Sequence, residues 1–267
     1  MDVIWHGNKI RESWGEGLSA LHADGVRIEH NEVSDTYGPL IYIDHSRNVL
    51  VDSNWVRNTS RAHTRREERD VSNGIMFASE NYSGTAPFAL KNIKITNNVI
   101  ANVAVGIGFW RDPANSGTEN RYEDVLIAHN LIKDTSTMAI SIAKLPPEAL
   151  ESAKGWIVNN IIYEPNFAWK QYQAPMTLLI LDPASWKDEN NLYPNESTAS
   201  GGFSFDPKLA DPRAVSAFGI RGFMPLCHSL EQLKKGRPLE EVSSDFDDNP
   251  RSRSNPAIGP WENCVNP

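Results

Sequence analysis

The chain has 267 residues, 40% hydrophobic and 22% charged, enough to bury one sizeable core in one large domain or two small ones. With 34 acidic against 26 basic side chains, the net charge is -8, which argues against a nucleic-acid partner, because engaging a phosphate backbone needs clustered Lys and Arg. No apolar run approaches the roughly 20 residues of a membrane-spanning helix, so no transmembrane segment is expected, and the start carries no signal-peptide pattern.

Taken in chain order, one template recurs over the first two thirds: apolar-x-apolar-x-x-Asn-x-apolar. It reads Val3-x-Trp5 with Asn8 and Ile10, Val26-x-Ile28 with Asn31 and Val33, and Val49-x-Val51 with Asn54 and Val56. It continues as Ile93-x-Ile95 with Asn98 and Ile100, then Val125-x-Ile127 with Asn130 and Ile132, and a degraded copy keeps Ile157, Asn160 and Ile162. Asparagine spacings of 23, 23, 44, 32 and 30 describe a basic period lengthened by insertions. Between the asparagines a small residue precedes alternating apolar positions, as in Gly17-Leu18-Ser19-Ala20, Gly74-Ile75-Met76-Phe77 and Gly106-Ile107-Gly108-Phe109. Each repeat therefore predicts three short strands that cannot close a core alone and bury one column when stacked. An Asn at the same turn of every coil can cap backbone groups and bond to its equivalent one coil away. His30 and His129, beside that ladder, are expected to be structural.

These coils resemble the right-handed parallel β-helix proteins, the pectate-lyase-like superfamily of bacterial carbohydrate-active proteins. The tail segments Asn190-Asn191-Leu192-Tyr193, Phe205-Asp206-Pro207 and Asn255-Pro256-Ala257-Ile258-Gly259-Pro260-Trp261 resemble the closing segment of its members. The resemblance implies an all-β solenoid of about six coils over residues 1–193, with an irregular tail over 194–267 packing on it in the same domain and covering its C-terminal end. It also implies a polysaccharide or oligosaccharide partner and an extracellular or periplasmic location. One such scaffold hosts lyases, hydrolases and inert binding proteins, so the reaction stays open. The first coil starts at Val3 with no cap ahead of it, which predicts an upstream segment or a second chain over that edge. Cys227 and Cys264 either pair, if the tail folds back, or stand as two free thiols.

Registering the strands on Leu18, Ile41, Ile75, Ile107 and Ile140 predicts outward columns of Ser19, Tyr42, Met76, Gly108, Ser141 and of Leu21, Asp44, Ala78, Trp110, Ala143. At their edge come His22, His45, Ser79, Arg111 and Lys144, then Glu80 and Asp112, with coils about 4.8 Å apart. This strip is the candidate sugar-binding face, with Trp110 as an apolar platform and His22 beside it. The insertion over 59–73 is expected to overhang it with Arg65 and Arg66. For an acidic glycan the resemblance implies β-elimination. Arg111, or Ca2+ held by Asp44, Glu80 and Asp112, is the candidate neutraliser of the carboxylate, and Lys144, His45 or Tyr42 the candidate base. A hydrolase would instead use Asp44 with Glu80 or Asp112. A non-catalytic glycan-binding role is the third reading.

Overall fold

The computed structural model describes residues 3–59, 71–80, 89–111, 121–163, 176–180, 183–193, 202–210 and 219–266. Alternating apolar residues at the template positions make short strands. Because each is too short to bury its face alone, the strands stack in parallel, coil upon coil. One sheet of seven collects the first strand of each coil: β1 (Val3–His6), β4 (Asp24–Glu29), β7 (Arg47–Asp52), β10 (Leu90–Thr96), β12 (Tyr122–Ala128), β14 (Gly155–Val158) and β17 (Trp186–Glu189). The second sheet begins with β2 (Lys9–Arg11), β5 (Glu32–Ser34) and β8 (Trp55–Arg57), and also holds β3 (Leu18–Leu21), β6 (Ile41–Asp44) and β9 (Ile75–Ala78). Two long strands, β11 (Val99–Trp110) and β13 (Leu131–Ile142), bridge these groups: Val99–Ala101 pair with β8 and Ile107–Trp110 with β9. The second and third strands of those coils are thus one continuous strand. β15 (Ile161–Tyr163) and β16 (Met176–Ile180) extend the same sheet against β13. All of these ladders are parallel, which makes the molecule a parallel β-helix, and the seven-stranded sheet adds a coil to the six legible in the sequence.

Register follows the repeat. Ile28, Val51, Ile95, Ile127 and Ile157 are in line across β4, β7, β10, β12 and β14, and all five are fully buried in the central core. The small residue that opens the third strand has a steric cause: a Cβ on Gly74 would lie 2.4 Å from the Gly106 carbonyl oxygen, and one on Gly106 equally close to that of Ala139. At the opposite corner Asn8, Asn31, Asn54, Asn98, Asn130, Asn160 and Asn191 stack. Each backbone N–H donates to the Oδ1 of the next Asn at 2.7–3.0 Å, and each Nδ2 donates to that same oxygen. The second Nδ2 hydrogen reaches a carbonyl of the coil before, as Asn54 does to Ile28 at 2.8 Å. The residue ahead of each ladder Asn has positive φ, from Gly7 at 67° through His30, Ser53, Asn97, His129 and Asn159 to Asn190 at 56°. His129 is structural, fully buried between the Ala257 carbonyl and Asn159.

The tail meets both the last coil and the flank of the helix: the Phe203 N–H donates to the Asn191 carbonyl at 2.8 Å and the Tyr193 N–H to the Phe203 carbonyl at 2.9 Å. Leu209, Phe223, Met224, Leu233, Ile258 and Trp261 pack on Val99, Ala101, Leu131 and Ile161, the outward residues of β11, β13 and β15. It buttresses the flank beside the asparagine corner, where Arg251 donates to Asn97 at 2.6 Å and Asn159 donates to the Arg237 carbonyl at 2.7 Å. Helix α1 (Cys227–Leu233) lies in this segment, and Cys227 is joined to Cys264 by a disulfide. At the other end of the stack, β1 pairs among the described residues only with β4, and Val3, Ile4 and Trp5 are exposed. Among the described residues no helix is long and apolar enough to cross a membrane.

Candidate functional site

The strip lies where strands β3, β6, β9 and the ends of β11 and β13 enter the turn opposite the asparagine corner. Ser19, Tyr42, Met76, Gly108 and Ser141 are consecutive partners across these strands, as are Leu21, Asp44, Ala78 and Trp110. The predicted columns are therefore the structural ones. Their neighbours on each strand, from Leu18 to Ile140, point the other way into the core, because side chains alternate along a strand.

Burial divides the strip into a floor and a rim. Tyr42, Asp44, His45 and Glu80 are buried, and Tyr42, Met76, Ala78 and Val105 form a small apolar cluster separate from the helix core. Leu21 and Trp110 are exposed, at 54% and 40%, Lys144 is exposed, and His22 and Arg111 are half-buried. An outward position was thus not a solvated one over the middle coils.

The floor is knit by polar contacts. Asp44 Oδ1 lies 3.1 Å from His45 Nδ1 and accepts the Glu80 backbone N–H at 2.8 Å. Ser46 Oγ donates to the Ala20 and Asp44 carbonyls, tying two coils together. His22 and His45, at equivalent turn positions, both have positive φ, 49° and 40°, which turns both imidazoles to the same side. Their rings meet edge to face with centroids 5.6 Å apart. Burial, followed by a hydrogen bond to Glu80, pushes the Tyr42 hydroxyl well above its ordinary pKa. Tyr42 therefore keeps its proton and suits a donor's role better than a base's.

On the rim, Arg111 Nη1 approaches the Lys144 carbonyl at 3.5 Å, and the buried Nε of Arg111 has no hydrogen-bond partner among the described residues. Arg111 and Lys144 are neighbours one coil apart, two and three coils from His45. Of the expected substrate and metal residues, Arg65, Arg66 and Asp112 lie outside the described residues. Of the other two residues expected to hold a metal, Asp44 meets Glu80 through the Glu80 backbone N–H at 2.8 Å.

Two features were not anticipated. The ligating atoms of His22, Asp44 and His45 all lie within 4.8 Å of one another. The signal for this was the recurrence of His in the same turn 23 residues apart, beside Asp44, but the metal was expected on Asp44, Glu80 and Asp112. A groove of about 1390 Å³ also lies on the seven-stranded sheet, lined by Lys91, Lys94, Lys154, Lys187 and Trp156. Lys91 is paired there with Glu123 at 3.0 Å, and the lining also holds Asp124, Glu151 and Glu241.

Residues 1–122 match the family model described as right handed beta helix region. The coils that continue in register through Asn191 make the chain a right-handed parallel β-helix beyond the matched segment. No curated protein matches the chain.

Proposed function

We propose that this right-handed β-helix protein acts on an acidic extracellular glycan, cleaving it by β-elimination along the strip that runs from His22 to Lys144. The observation that carries the reading is the arrangement along the strip: an exposed Trp110 ring beside two cationic side chains, with buried acid, imidazole and phenol groups one and two coils before it.

In this reading the Trp110 ring carries a sugar face and the Arg111 guanidinium neutralises the uronate carboxylate, acidifying the proton on the adjacent carbon. Lys144, one coil on, takes that proton; the electron pair forms the new double bond and the bond to the leaving glycosidic oxygen breaks, with a proton returned to that oxygen from the lysine or water. Tyr42, which keeps its proton, contributes a hydrogen-bond donor on the floor. A hydrolase would work from Asp44 with Glu80, both buried in that floor, or from Asp44 with Asp112, which lies outside the described residues. The groove on the other sheet, where Lys94, Lys154, Lys187 and Trp156 lie with Asp124, Glu151 and Glu241, supports a second reading, a glycan bound without cleavage. The Cys227–Cys264 disulfide supports an extracellular or periplasmic location, since such bonds persist in oxidising compartments.

Incubation with pectate, alginate, glycosaminoglycans and neutral glycans, following ultraviolet absorbance and reducing ends together, separates the readings. Elimination raises both signals, hydrolysis raises reducing ends alone, and a binding module changes only glycan mobility. Lys144→Ala combined with Arg111→Ala is expected to lower kcat at least ~100-fold, the usual worth of a general base, while glycan binding survives. An unchanged rate would move the chemistry off this face.

A further inference from the structure

We infer that His22, Asp44 and His45 form a binding site for one divalent transition-metal ion of the Zn2+ class. The inference rests on the geometry of the floor and does not need the glycan reading to be correct. Two of the three ligands are already placed: the 3.1 Å between His45 Nδ1 and Asp44 Oδ1 matches the edge between adjacent ligands around an ion with bonds of about 2.1 Å. The whole set spans up to 4.8 Å, against about 3.4 Å between two ligands of a tetrahedral ion with such bonds. His22 therefore has to close by about 1.4 Å. It is the half-buried member of the set, at a turn where its ring has room to move, while Asp44 and His45 are buried and fixed.

The donor types select the metal. Two imidazole nitrogens and one carboxylate oxygen suit Zn2+, Co2+, Fe2+ or Mn2+, whereas Ca2+ takes six to eight oxygens. The structure thus puts two nitrogen donors where a calcium site built on Asp44 and Glu80 would need oxygens. Three protein ligands leave at least one position open, on the side of the half-buried His22, as in sites that hold a water or a substrate oxygen. The supporting contacts are present too: the Glu80 N–H fixes the Asp44 carboxylate at 2.8 Å, as outer partners of metal ligands do. Electrostatics points the same way. Asp44 and Glu80 bring two carboxyl groups into a floor from which water is largely excluded, and a cation there offsets the cost of burying them. It also gives the strip the positive charge that a protein of net charge -8 needs in order to meet an acidic ligand.

Titration of the full-length, tag-free, chelator-stripped protein with ZnCl2 and CoCl2, by calorimetry and by the visible absorption of bound Co2+, tests this directly. One equivalent is expected to bind, with CaCl2 failing to displace it. His22→Ala and His45→Ala should each weaken it by at least ~10-fold. His30→Ala, which removes the other stacked histidine turn, and His228→Ala on α1 should leave it unchanged. Because His22 is half-buried, its variant should keep the wild-type circular dichroism and melting midpoint, so a lost site cannot be mistaken for a lost fold. Absence of Zn2+ and Co2+ binding at 100-fold excess, retention of binding in the His22→Ala/His45→Ala double variant, or displacement by Ca2+ would each overturn the inference. Metal bound without any glycan cleavage would leave this site standing and remove the lyase reading, and cleavage by a protein that binds neither Zn2+ nor Co2+ would overturn the site and leave the lyase reading standing.

Discussion

Two corners of the same coil behave in opposite ways. At the asparagine corner, seven coils repeat one residue in one geometry, with a positive-φ residue directly ahead of each Asn and the same hydrogen bonds at each step. At the opposite turn the equivalent positions carry His22, His45, Ser79, Arg111 and Lys144, and here the chain between coils changes length. Repetition is what a stack demands for its own stability, because every coil must satisfy the backbone of the next. Variation within an otherwise repeating frame costs stability at no other coil, so a turn released from the repeat is free to carry chemistry. The two corners predict separable consequences for mutation.

The sharpest test is within the ladder. Replacing Asn54 by Ala removes the Oδ1 that accepts from the Asn31 backbone and side chain at 3.0 and 2.9 Å, and also removes the Nδ2 bonds to Ile28, Asp52 and Asn98. Leaving buried groups unpartnered should cost about 3 kcal/mol in urea unfolding. Asn8→Ala, at the half-exposed first coil, strands no earlier coil and should cost about 1 kcal/mol or less. Equal losses at the two positions would mean that the ladder does not act as a chain of couplings.

The ladder was legible because fixed spacing between Asn and flanking apolar residues survives any loop insertion. Its seventh member was not, since the template places an apolar residue where Asp188 stands. The structure explains the exception: the Asp188 carboxylate accepts from Asn191 Nδ2 at 2.6 Å and from the Tyr193 hydroxyl at 2.9 Å, so a polar residue serves the last turn. At the strip, period-two alternation gave the columns and their register, but alternation says only which way a side chain points. Whether Tyr42 and Asp44 meet water depends on what lies over them, which no local pattern encodes. The Cys227–Cys264 pair and the flank against which the tail packs were hidden for the same reason, being contacts between segments with no shared period.

A smaller effect should appear on the ladder side as a pH dependence. Burial, reinforced by the nearby Arg251 charge, holds the His129 imidazole well below its ordinary value of 6.5. The folded state keeps it neutral while the unfolded chain takes up a proton. The stability contribution is therefore complete above the unfolded value of about 6.5 and is lost as pH falls from there toward the folded value, by at most ~1.4 kcal/mol per pH unit. Comparing urea unfolding of wild type and His129→Gln between pH 7 and 5 isolates this term. The wild type should lose stability faster on acidification, and parallel curves would show that His129 is not held neutral by its surroundings.

The smallest stability effect belongs to the strip. His22→Ala removes a half-buried imidazole whose described ring contact is the edge-to-face one with His45, and it leaves the Asp44–His45 contact and the coil-to-coil bond from the His22 backbone to the Asp44 carbonyl in place. Substitutions of this kind change stability by about 0.5 kcal/mol or less. The same variant is expected to weaken Zn2+ binding by at least ~10-fold. A residue that affects binding but not folding is what a turn released from the repeat should contain. If His22→Ala instead unfolds the protein as readily as Asn54→Ala does, the two corners share one structural role, and the heterogeneity of the strip must be explained by packing over its floor.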